Sequence, residues 1–213
     1  MTRLAALAAD VDLVATVEAV VPALDALLVE ATAAVRAKVL ADGRLSAALL
    51  EQEQHACHGL AWLATYVEAV RELASYGRRL QAEGRFGETE ELLVAIGTGE
   101  YLAQVFGGIP MSQGELVRLP ALGLPPATIA ARRTAVVEGL IATGNTSANR
   151  ARLVMLIRQA QGAATMGDAG LDETLEAIRA EMRRFAEAEV LPHAHQWHLQ
   201  NDYIPLEVID KLA

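Results

Sequence analysis

The amino-acid sequence predicts an all-α chain, and three observations carry that prediction. Apolar residues recur at the spacing of a helix face along most of the 213 residues, with no convincing run of the alternation that marks a strand. Apolar residues make up 53% of the chain but aromatics only 4%, so a core must be filled by Leu, Val, Ile and Ala, a palette that suits helix bundles. The 7 prolines and 16 glycines fall mostly in a few clusters, leaving long stretches free of helix breakers.

Taken in order, a first helix is expected over about Asp12 to Leu40, bent at Pro22 and closed by Asp42-Gly43. A long second helix, about Ser46 to Gln81, carries two apolar stripes. One runs through Leu60, Leu63, Val67, Val70 and Ala74, the other through Trp62, Tyr66, Leu73, Tyr76 and Leu80. A helix apolar on two sides belongs inside a bundle, touching neighbours on both. Gly84 ends it. A third helix is expected from about Gly87 to Phe106, with Leu92, Leu93, Ile96, Leu102 and Val105 inward. Gly97 and Gly99 each lower its helix propensity by about 1 kcal/mol, a loss that close helix–helix approach would repay.

Gly107 to Pro110 breaks that helix, and Ser112-Gln113-Gly114-Glu115 has the spacing of a capping box. Pro120 to Pro126 reads as a loop, followed by helices over about Ala127 to Thr143 and Ser147 to Gln161, parted by Gly144-Asn145. Gly162 to Gly170, rich in Gly and Ala and lacking an apolar period, reads as a linker. Asp172 is the expected N-cap of a helix with the stripe Leu175, Ile178, Met182 and Phe185. That helix is expected to stop at Pro192, pass through a polar loop, and give way to another with Pro205 at its first position. No Gly, Asn or Pro closes that last helix before Ala213, so truncation is expected there.

The formal net charge of −9 argues against a nucleic-acid partner. Cys57 is the single cysteine, which excludes an intrachain disulfide and suits a reducing compartment. Leu4 to Ala9 is too short an apolar run for a signal peptide, and charged residues interrupt every longer one, so neither export nor a membrane span is expected. The expected location is the cytoplasm.

Candidate chemistry is thin. His55 and His58, which flank Cys57, form one group of possible metal ligands, and His193, His195 and His198 another; two distant clusters without paired spacing predict no metal site. His55 falls on the Trp62/Tyr66 stripe and reads as a packing residue, and Cys57 as an inert buried thiol. Gly107 to Glu115 matches neither a P-loop nor a dinucleotide fingerprint and reads as a structural turn. Glu88, Glu90 and Glu91 complement a helix dipole and read as a solvated face. No catalytic, cofactor-binding or metal residue is assigned.

The segment from Asp172 to Ala213, with its order of helix, Pro192, Trp197, polar loop, Pro205 and second helix, resembles the opening of the acyl-CoA dehydrogenase family. Gln54 to Ala69 (QHACHGLAWLATYVEA) and Gly99 to Glu115 (GEYLAQVFGGIPMSQGE) are similar to the helical extension that precedes the flavoenzyme core in the methylsuccinyl-CoA dehydrogenase branch of that family. The resemblance implies a helical-bundle extension over residues 1–165, a linker over 166–171, and over 172–213 the first helical hairpin of an acyl-CoA dehydrogenase N-terminal domain. It further implies a parent FAD enzyme, a homo-oligomer that oxidises the α–β bond of a branched dicarboxylic acyl-CoA. A family Glu takes the α-proton, FAD N5 takes the β-hydride, and an electron-transfer flavoprotein reoxidises the flavin. None of those catalytic residues maps onto this chain, so the fragment is expected to be inactive, to bind no FAD and to contact the remaining flavoenzyme domain. The rival is a free-standing all-α interaction or scaffold protein.

Overall fold

Asp12 starts the first helix. In the computed structural model, which describes residues 12–160 and 166–212, its Oδ1 accepts from Val14 N at 2.9 Å and Ala15 N at 3.2 Å. These are backbone donors that a helix start leaves unpaired. Gln81 Nε2, at the far end of another helix, donates to the same oxygen at 3.1 Å. That amide, ahead of the backbone donors, holds the Asp12 carboxyl below its ordinary value. A lowered folded pKa means stabilisation that is fully present above the unfolded value of about 3.9 and is lost as pH falls through the folded one. Asp12→Ala is therefore expected to cost about 1 kcal/mol at neutral pH in urea denaturation, with the difference from wild type closing as pH falls through the lowered Asp12 pKa. Equal stabilities at neutral pH would show that the cap contributes nothing.

The chain divides into two compact units, Met1–Gly167 and Asp168–Ala213. The first is a helical bundle built around α1 (Leu13–Val39), which buries Val14, Val17, Val20, Leu24, Leu27, Ala31 and Val35. These positions are three or four apart and make one continuous face. Asp42 and Gly43 do more than close α1. Both have positive φ, 50° and 74°, and they turn a two-residue hairpin between β1 (Leu40–Ala41) and β2 (Arg44–Leu45). Asp-Gly with both residues left-handed is the turn that such hairpins favour.

The expected single second helix is two. Ser46 caps α2 (Ala47–Gln52), Glu53 departs from helical dihedrals, and α3 (Gln54–Ala82) follows. A tertiary clamp holds the break: Lys38 Nζ donates to the Glu53 carboxylate at 3.0 Å and to the Ala121 carbonyl at 3.2 Å. The Leu63/Val67/Val70/Ala74 stripe of α3 is fully buried, against α1 among others, and Leu60 partly. On the second stripe Tyr66 and Leu80 are buried, while Trp62, Leu73 and Tyr76 are partly exposed.

Helix α4 (Glu88–Gly107) buries Leu92, Val94, Ala95, Thr98, Leu102 and Val105. Leu93 and Ile96, expected inward, are only partly buried. Gly87 has no side chain, so only the return half of a capping box forms, with Gly87 N donating to Glu90 Oε2 at 3.0 Å. Glu90 is thus buried and not part of a solvated face.

Ser112 to Glu115 does not cap a helix. It is the tip of an antiparallel hairpin, β3 (Ile109–Ser112) with β4 (Glu115–Val117), turned at Gly114 with φ 77°. Ile109, Met111 and Val117 point into the core, and Val117 rests on Gly59, where a Cβ would come within 2.4 Å of it. The expected loop after it opens as a 3₁₀ turn, Leu119–Leu122, that buries Leu119 and Leu122. The expected helix over 127–143 is split into α5 (Pro126–Arg132) and α6 (Ala135–Thr143), because Thr134 caps the second piece, accepting from Val137 N at 3.3 Å. Thr146 likewise caps α7 (Ser147–Gln159).

Close approach accounts for two glycines. A Cβ on Gly99 of α4 would meet Asn145 N at 2.8 Å, and one on Gly144, at the end of α6, would meet the Ala95 carbonyl at 2.3 Å. Asn149 Nδ2 then donates to the carbonyls of Thr143 at 2.9 Å and Gly144 at 2.7 Å, satisfying the end of α6.

In the second unit, Asp172 caps α8 (Glu173–Phe185) by accepting from Leu175 N at 2.8 Å. Pro192 does not stop the helical path. A π-helical turn, Ala186–Val190, widens the coil and runs into α9 (Leu191–Gln200), and Pro192 sits in the first turn of α9, the part of a helix that tolerates proline best. The expected polar loop is therefore helix, ended by Asn201 at φ 55°. Pro205 is the N-cap of α10 (Leu206–Asp210) and not its first residue, and that helix gives way to a turn at Lys211. None of the described residues of this unit is buried, and the Leu175/Ile178/Met182 stripe is exposed. The short apolar run over 4–9, the linker positions 161–165 and Ala213 lie outside the described residues.

Candidate functional site

The chemically richest part of the first unit is a seam between α3 and α4. Residues four apart on α3 place His58, Trp62 and Tyr66 in one row. Trp62 Nε1 donates to His58 Nε2 at 2.9 Å, and the Trp62 and Tyr66 rings meet edge to face at 6.1 Å. Tyr66 meets Tyr101 of α4 the same way at 4.9 Å. These are the geometries that ring quadrupoles favour. Burial, then the nearby Tyr101 and Glu100, raises the Tyr66 phenol above its ordinary value, so it remains a donor.

A relay of hydrogen bonds leaves this cluster. Tyr66 Oη donates to Gln104 Oε1 at 2.6 Å, and Gln104 Nε2 donates to Glu100 Oε1 at 2.6 Å. Asn145 Nδ2 donates to the other Glu100 oxygen, and Arg150 Nε donates to Asn145 Oδ1 at 2.5 Å. Every member is engaged by another. The relay ties α3 through α4 to the α6–α7 junction, and it leaves no nucleophile beside a base. Its chemistry is that of a brace.

The residues singled out from sequence are dispersed. His55 is not a packing residue: its side chain is about half exposed and its Nδ1 lies 3.3 Å from Glu115 Oε1. Ser112, then His55, holds the Glu115 carboxyl below the usual carboxylate range. Cys57 is only partly buried, against the core. His193, His195 and His198 lie on α9, with the His193 and Trp197 rings 5.6 Å apart. Among the described residues no three His, Cys, Asp or Glu side chains converge as metal ligands, and no helix is long and apolar enough to cross a membrane. Glu88 pairs with Arg152 at 2.6 Å.

Glu100, Gln104, Asn145 and Arg150 carry no local sequence signal. Their partners are as many as 45 positions away, and Asn145 was legible only as half of a helix-breaking pair.

Residues 172–213 match the family described as acyl-CoA dehydrogenase, N-terminal domain. The chain is also similar to (2S)-methylsuccinyl-CoA dehydrogenase of Cereibacter sphaeroides, with 47% identity over 202 residues. That similarity covers 95% of this chain and 36% of the relative, so the chain spans about a third of the relative's length.

Proposed function

The chain is a relative of the acyl-CoA dehydrogenases, and from that premise we propose that it is the N-terminal part of an FAD-dependent enzyme that oxidises the α–β bond of a branched dicarboxylic acyl-CoA, methylsuccinyl-CoA to mesaconyl-CoA. The observation that carries this reading is a similarity of 47% identity overall that covers 95% of the chain, together with the family match over residues 172–213. Residues 1–165 are then a structural extension, 166–171 a linker and 172–213 the start of the flavoenzyme domain. The remaining flavoenzyme domain is the expected partner of this chain. The parent is a cytoplasmic homo-oligomer that passes its electrons to an electron-transfer flavoprotein.

FAD belongs to that parent and not to these residues. When bound it supplies the hydride acceptor, and it needs polar groups arranged around its ring and phosphates. The polar groups of the α3–α4 seam are instead bonded to one another, so they do not fit a flavin. The seam sets the shape of the extension, and Trp62, the partly exposed member of its aromatic row, is the anchor it offers to the enzyme core or a second subunit. The 213-residue chain is expected to purify without flavin absorbance and to show no turnover of methylsuccinyl-CoA. Saturable micromolar binding of FAD to it would overturn the structural assignment.

A further inference from the structure

Proline in a helix leaves the carbonyl four residues back without its usual donor and opens the packing around it. Pro22 sits inside α1, and beside it lies a cleft of about 450 Å³ between α1 and α3. Its floor is apolar, made by Val21, Pro22 and Ala74, and its α3 wall carries Arg71, Ser75, Arg78 and Arg79 against a single lining carboxylate, Glu18. Three guanidiniums line this one cleft, and carboxylates match two of them.

Those guanidiniums are not equivalent. Arg71 is held by Asp25 at 2.7 Å and Glu68 at 2.9 Å. Arg78 is held by Glu18, with Nε at 2.8 Å and Nη2 closer still. Among the described residues, the side chain of Arg79 makes only one bond, from Nη1 to Ser75 Oγ at 2.9 Å, and no ion pair. Most of its donors are thus uncommitted. The Ser75 hydroxyl, which accepts that bond, still has a proton to donate. Arg71 and Arg78 are neutralised by their carboxylates, so Arg79 supplies the positive charge of this wall that is not already paired.

We propose that this cleft binds a phosphate ester with a small apolar body. The phosphoryl group sits against Arg79 and Ser75 with Arg78 alongside, and the body lies on Val21, Pro22 and Ala74. A dianionic phosphoryl group suits this wall better than a carboxylate, because it offers three acceptor oxygens to forked guanidinium donors. The site does not depend on the enzyme assignment.

Titration with phenyl phosphate, followed by amide chemical shifts of the 213-residue protein, tests the proposal. Saturable shifts confined to α1 and α3 around Pro22 and Ser75 are expected, with a Kd on the order of 1 mM for so small a probe. Arg79→Gln is expected to weaken binding roughly tenfold with an unchanged melting temperature, since Arg79 holds no ion pair. Ser75→Ala is expected to weaken it less, and inorganic phosphate to bind more weakly than phenyl phosphate. The proposal is overturned if no saturable shifts occur, if they map elsewhere, or if Arg79→Gln binds as tightly as wild type.

Discussion

Gly144→Val is expected to destabilise the first unit by about 3 kcal/mol, lowering its melting temperature by roughly 6–12 °C. The backbone of Gly144 is ordinary, with φ −72°, so the effect does not come from conformational strain. It comes from space: the added carbon would stand 2.3 Å from the Ala95 carbonyl and 3.1 Å from Gly99 Cα. Neither is a flexible side chain, so α4 and α6 must separate and open the interface that holds Val94, Leu102 and Leu140. Gly139 of the same helix is the control. A Cβ there meets nothing within 4 Å, and Gly139→Ala is expected to stabilise the unit by up to about 1 kcal/mol through helix propensity alone. A Val at position 144 that left the melting temperature unchanged would refute the Gly99–Gly144 crossing.

Tyr66→Ala is expected to cost about 3–5 kcal/mol, because it removes a buried ring that meets Trp62 and Tyr101 and leaves a cavity between α3 and α4. Tyr66→Phe keeps the ring and loses only the bond to Gln104, for a cost of about 1 kcal/mol. Urea denaturation of both variants separates packing from hydrogen bonding. Equal losses would mean that the ring contributes little, and the seam would then be a polar network with incidental aromatics.

Much of this architecture was legible in the sequence wherever burial follows a single period. The α1 face and the Leu63/Val67/Val70/Ala74 stripe of α3 repeat every three or four residues, and their burial follows. Gly99 was legible as a close approach because a glycine inside a helix needs a compensating contact, and it has one in Gly144.

Misreadings gathered where a short local signal had two meanings. Asp42-Gly43 reads as a helix stop or as a hairpin turn, and the residues on either side pair. Ser112 and Glu115 have capping-box spacing, yet the alternating burial of Ile109, Pro110, Met111 and Ser112 belongs to a strand that Pro110 disguised. The break at Glu53 depends on Lys38, and the breach at Pro192 is absorbed by a π turn, so neither is visible in a window of neighbours. The brace from Tyr66 to Arg150 was the least legible feature, since its Gln, Glu and Asn look like any solvated helix surface until tertiary structure aligns them.

Anaerobic addition of methylsuccinyl-CoA to the purified full gene product decides whether the parent is this flavoenzyme. A yellow protein is expected whose flavin absorbance bleaches on addition, with mesaconyl-CoA formed in equal amount, while the 213-residue chain under the same conditions is expected to be colourless and inert. A full gene product that carries no flavin, or whose flavin methylsuccinyl-CoA leaves oxidised, would contradict it.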